Sequence, residues 1–142
     1  MSYISESLRR TVIQRANSCC EYCLIHQENS LYTHEVDHII PRKHRGKTSA
    51  DNLCLACLEC NRYKGSDFGS FDPQTDEITQ LYHPRKHQWL DHFVLDQARI
   101  KPLTAIGRVT VFVLRLNDEE RIQDRNFLRI SGSYPPSILN FY

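Results

Sequence analysis

The sequence predicts an α+β fold: a small strand, loop, strand, helix unit with a helix before it and a mixed strand and helix extension after it. Three observations lead there. Residues 4–16 carry a helical period, two strand-like runs flank a polar loop between residues 31 and 57, and two Cys-x-x-Cys pairs frame those runs. A chain of 142 residues, 40% hydrophobic and 25% charged, is enough for one modest core with an appended subdomain. Glu6, Arg9 and Arg10 fall where a signal peptide needs an apolar core, and no apolar run reaches membrane-spanning length. A cytoplasmic protein with no membrane partner is expected.

In "ISESLRRTVIQRA", Ile4, Leu8, Val12 and Ala16 share one helix face, and Ser5 or Ser7 can cap the start. "LYTHEVDHIIP" is rich in β-branched and aromatic residues and reads as a strand ended by Pro41. After a polar loop containing Gly46, "NLCLAC" reads as a second strand and "LECNRYK" as a short helix that Gly65 can end. Downstream, a strand is expected around residues 78–82, with "VLDQARI" as its hairpin partner. "AIGRVTVFVLRLN" sets Ile106, Val109, Phe112, Val113 and Leu116 on one helix face, though its β-branched residues leave a strand open. "DEERIQDRNFLRI" reads as a charged helix with Ile122, Arg125 and Leu128 in register, and "SYPPS" ends regular structure.

Six cysteines in a reducing compartment do not suggest a disulfide framework. Cys20 and Cys23, followed after 33 residues by Cys57 and Cys60, supply four thiolates at knuckle spacing and predict a closed structural Zn²⁺ site. In a domain with little core, such a site contributes folding free energy directly. Cys19 and Cys54 are left over, and Cys54 alternates with Leu53 and Leu55 as a small buried residue would.

Between and just after those pairs lie Asp37, His38, Asn52 and Asn61. The Asp and Asn oxygens suit a hard cation, and so few protein ligands favour Mg²⁺ or Mn²⁺, which keep several waters and bind phosphate oxygens. Neighbouring strand side chains point to opposite faces. Asp37 and His38 therefore serve one site only if the strand bulges or ends at residues 37–40.

Asp37-His38, then Asn52-Leu53, then Cys60-Asn61-x-x-Lys64, inside the paired cysteines, resembles the HNH endonuclease family with its ββα-metal (His-Me finger) core. The likeness is to the McrA-like variant with two zinc knuckles, and the motif is also similar to that of phage recombination endonuclease VII. It covers roughly residues 15–66. It implies a nuclease domain at 1–66 and an extension at 67–142, a metal-dependent hydrolase acting on phosphodiester bonds of nucleic acid, with DNA expected. It further implies His38 as general base, Asp37 and Asn61 as ligands of the catalytic ion, and Asn52 as the residue that holds the loop and orients the base. The loop "KHRGKTSADN" departs from the family pattern in having one glycine, Gly46.

Net charge is only +1, yet Arg42, Lys43, Arg45, Lys47, Arg62 and Lys64 cluster just after the Asp-His pair against Asp51 and Glu59 alone. These six are the expected phosphate contacts. His83 and His87, four apart, are expected as ordinary histidines, and Trp89 and Phe93 as core residues. A zinc-ribbon module that binds nucleic acid or a partner without turnover is the competing reading. It needs none of Asp37, His38 and Asn61.

Overall fold

The computed structural model describes residues 3–137. It is an α+β protein of short antiparallel hairpins and helices, as the residue pattern predicts. Helix α1 spans Glu6–Arg15, and of the two candidate caps it uses Ser5, whose side chain accepts from the Leu8 amide. Ile4, Val12 and Ala16 are buried against Leu53 and Leu55 of strand β2, Leu53–Ala56. Each large side chain hidden this way contributes about 1.5–3 kcal/mol.

Strand β1 is Glu35–His38, antiparallel to β2, with Asp37 opposite Cys54 and His38 opposite Leu53. It is shorter than expected. Residues 31–34 are irregular because the side chain of Gln27, on a 3-10 turn at Gln27–Asn29, bonds the Tyr32 carbonyl and the His34 amide, and Leu31 is left 97% exposed. Helix α2, Leu58–Lys64, follows β2 directly and ends at Gly65, whose φ of 52° lies in the region glycine adopts freely. Together β1, β2 and α2 realise the expected strand, loop, strand, helix order.

The extension forms two further hairpins. Strand β3 (Gly69–Phe71) pairs with β4 (Ile78–Gln80), and β5 (Phe93–Asp96) pairs with β6 (Arg99–Pro102). "VLDQARI" is thus a hairpin in itself and not the partner of residues 78–80. Its Gln97, at φ 55°, sits in the turn that folds the segment on itself. A short helix α3 (Trp89–His92) precedes β5, and Trp89 is buried as expected, donating its indole N–H to the Tyr22 carbonyl and packing on Phe93.

Helix α4 spans Ala105–Val113 and resolves that segment as helix, with Thr104 as its cap. Its buried face runs through Gly107, Thr110 and Leu114, so Phe112, expected inside, is 66% exposed. Gly107 fixes that choice: a Cβ there would stand 2.3 Å from the His92 carbonyl oxygen, so only this face can approach so closely. Helix α5 is Glu119–Ile130. One apolar cluster joins Cys20, Tyr22 and Cys60 to Trp89, Ile100 and Leu114, so the core crosses from the knuckles into the extension. Among the described residues no helix is long and apolar enough to cross a membrane.

Candidate metal centres and active site

The four knuckle sulfurs converge. Cys20 and Cys23 follow α1, Cys57 caps α2 and Cys60 lies in its first turn; all four ligand atoms lie within 4.8 Å of one another and all are buried. Cys23 Sγ and Cys57 Sγ are 3.7 Å apart, the separation that a tetrahedral ion with metal–sulfur bonds of about 2.3 Å imposes. Backbone amides brace the sulfurs: the Cys23 N–H points at Cys20 Sγ at 3.5 Å and the Cys60 N–H at Cys57 Sγ at 3.4 Å. The donor set therefore fits zinc. Cys20, not Cys19, takes part. Cys19 and Cys54 are buried apart from the cluster, where burial pushes their thiols up to about 11 and about 12.

Strand β1 stops at His38, where a strand end was expected. The Ile39 amide donates to the Asn52 carbonyl at 2.8 Å, and the Asn52 side chain clasps the chain beyond. Its Oδ1 accepts from the Ile40 amide at 2.9 Å, and its Nδ2 donates to Ile40 O at 3.0 Å and Lys47 O at 2.8 Å. The loop folds so tightly over the strand end that a Cβ on Gly46 would sit 1.6 Å from the Ile40 oxygen.

The clasp delivers Thr48 to His38. Thr48 Oγ1 lies 2.8 Å from His38 Nε2, which fixes the half-buried ring. Thr48 carries no signal in the sequence. The Asn52 side chain bonds Ile40 and Lys47 and so positions the loop whose Thr48 meets His38. Burial lowers the His38 pKa below its ordinary value; Asp37 opposes this, and Arg42 and Lys64 reinforce it. The ring is neutral at pH 7 and able to take a proton.

Asp37 Oδ2 is buried and, among the described residues, has no hydrogen-bond partner. Its nearest cation is the Lys64 ammonium at 3.5 Å, which donates instead to the His38 carbonyl at 3.0 Å. A buried carboxylate oxygen that accepts no hydrogen bond and meets only one ammonium keeps donor capacity that fits a hard divalent ion. Asn61 lies half-buried on α2, one residue past Cys60.

Of the six expected phosphate contacts, Arg42, Lys43, Arg45, Lys47 and Arg62 are exposed, the first three on or just after a 3-10 turn at Arg42–His44. Lys64 is not available: it is 1% exposed and engaged with Asp37 and His38, because α2 turns that position towards β1. His83 and His87 hold their own loop, with His87 Nδ1 accepting from the His83 amide at 2.9 Å. A cavity of about 310 Å³ beside Arg15, Glu21 and Arg85 includes none of Asp37, His38 and Asn61.

Compared with known proteins, residues 20–67 match the model of the HNH endonuclease family. A 57-residue segment, 38% of this chain, is 42% identical to part of the CRISPR-associated endonuclease Cas9 of Corynebacterium diphtheriae (strain ATCC 700971). The chain spans 5% of that relative's length. No solved structure matches.

Proposed function

We propose that residues 20–67 work as an HNH endonuclease domain that hydrolyses phosphodiester bonds in nucleic acid, DNA being the expected substrate. The observation that carries this reading is the buried Asp37 Oδ2 without a hydrogen-bond partner, next in sequence to a histidine whose ring is fixed from the loop. Beyond its ion pair with Lys64, that oxygen keeps acceptor capacity which a metal-dependent nuclease uses and a zinc module without turnover does not need.

In this reading Asp37 and Asn61 hold a Mg²⁺ or Mn²⁺ ion, which when bound stabilises charge on the phosphate and leaving oxygens. His38 donates Nε2–H to Thr48, leaving the Nδ1 lone pair to take a proton from water. The water oxygen bonds to phosphorus as the bond to the leaving oxygen breaks, and that oxygen takes a proton from solvent. Asn52 and Gly46 hold the loop that presents Thr48, and Lys64 supports the strand end from behind. Arg42, Lys43, Arg45, Lys47 and Arg62 grip phosphates, which gives salt-dependent affinity without sequence choice. Zn²⁺ on Cys20, Cys23, Cys57 and Cys60 is structural.

The test is cleavage of supercoiled plasmid by the purified protein in Mg²⁺ or Mn²⁺, with His38→Ala alongside. Nicked or linear product that disappears with His38 is expected. Equal cleavage by both proteins would overturn the assignment of the base.

A further inference from the structure

Helix α5 carries charge inside and apolar groups outside. Arg121 and Arg125, one turn apart, are 3% and 0% exposed, whereas Phe127 and Ile130 are 74% and 73% exposed. Two buried guanidinium groups at this spacing repel one another, and each has lost hydration worth several kcal/mol unless an anion faces it. Carboxylates do not supply that anion. Among the described residues Arg125 forms no ion pair, and Arg121 meets only Glu59, at 3.6 Å and half in solvent. Arg125 spends Nε and Nη2 on neutral acceptors, the Ala98 carbonyl at 2.9 Å and Asn117 Oδ1 at 3.2 Å, and its buried Nη1 has no partner among the described residues.

What Arg121 faces is sulfur. Its Nη2 donates to Cys60 Sγ at 3.0 Å and reaches Cys57 Sγ at 3.8 Å, while Nη1 donates to the Leu114 carbonyl at 2.7 Å. Neutral thiols would leave Arg121 with no anion beyond the half-solvated Glu59. Four thiolates on a divalent ion leave net negative charge at the sulfurs that this guanidinium faces.

We propose that Arg121 of α5 is a counter-charge of the zinc–tetrathiolate centre, so that metal occupancy and docking of α5 on the knuckles are linked. This rests on the assignment of zinc to the four cysteines. Arg121 touches ligand sulfur and not the ion, so it is a positioning residue for the ligands. By linkage, the free energy that α5 adds to metal binding is the free energy that the metal adds to α5 docking.

Elemental analysis of the full chain comes first, then zinc competition against a chromophoric chelator for wild type, Arg121→Met and Arg121→Lys. Arg121→Met should bind zinc about 10–100-fold more weakly, the range for loss of an outer partner of a metal ligand, and Arg121→Lys should recover part of that loss. The second measurement needs no variant: adding zinc to chelator-treated wild type should restore hydrogen-exchange protection in residues 119–130 at the same zinc level that fills the cysteine site. Wild type that binds no zinc would overturn the zinc assignment itself. One zinc per chain with wild-type affinity in Arg121→Met, or α5 protection indifferent to zinc, would overturn only the part given to α5.

Discussion

Lys64 and Asp37 form a pair behind the end of β1: the ammonium, 1% exposed, lies 3.5 Å from Asp37 Oδ2 and donates to the carbonyl of the next residue, His38. One side chain of α2 thereby fixes the backbone of His38, the proposed base, and faces the carboxylate proposed to hold the ion. Lys64→Met should cost about 1–3 kcal/mol of stability, since it strips a buried acceptor of its donor. The same change removes a positive charge from beside Asp37, so half-maximal Mg²⁺ for cleavage should fall. Thermal melts and a Mg²⁺ titration read the two effects separately.

His38→Ala should reduce cleavage by about 10²–10⁴-fold, the usual contribution of a positioned base, with zinc content and melting temperature unchanged. Thr48→Val should lower kcat by up to about 100-fold through a loosened ring, with KM and stability close to wild type. A Thr48→Val enzyme at full kcat would show that the ring needs no partner on Nε2.

Gly46→Ala should damage the site without touching it. The new Cβ would overlap the Ile40 oxygen, so the loop must lift and the Asn52 bonds must stretch, a cost of at least about 1–3 kcal/mol. Loss of cleavage together with a lowered melting temperature is expected. Alanine tolerated on both counts would place the loop elsewhere.

Cys57→Ser should lose zinc and the folded state together, because the cluster ties the end of α1 to the start of α2 through the same buried core. Far-UV circular dichroism and metal content, measured on the same sample, check it. A folded, metal-loaded Cys57→Ser would contradict a four-thiolate site.

Asp72 and Arg108 should set part of the acid stability. Both Arg108 Nε and Nη2 donate to the Asp72 carboxylate, at 2.9 and 2.8 Å, and together with Thr75 and the Gln74 amide they hold it well below the usual carboxylate range despite its burial. A depressed folded value means stability that is fully present above the unfolded value of about 3.9 and is lost as pH falls below it. Asp72→Asn should therefore melt lower than wild type at pH 7, with the gap closing only below about pH 4 in melts run from pH 7 to pH 2.

Much of the candidate site was legible because its residues lie close in the chain. Knuckle spacing, the Asp-His pair and the β-branched run into "NLCLAC" are local signals, and the order β1, loop, β2, α2 followed from them. Residues 31–34 were misread as strand since their propensity favours β while the Gln27 side chain bonds their backbone elsewhere. The pairing of β5 with β6 was missed because the turn at Gln97 has no glycine or asparagine to announce it.

Residue order alone was enough to group the four knuckle cysteines and to give the class of the fold, because thiol spacing and strand or helix periods are properties of neighbouring residues. Folding decided what depends on distant ones: that Lys64 turns inward and leaves five exposed cations, that Thr48 meets His38, and that Arg121 reaches sulfurs more than sixty residues away. Those outcomes turn on contacts between residues far apart in the chain, and no local pattern encodes a long-range fit of that kind.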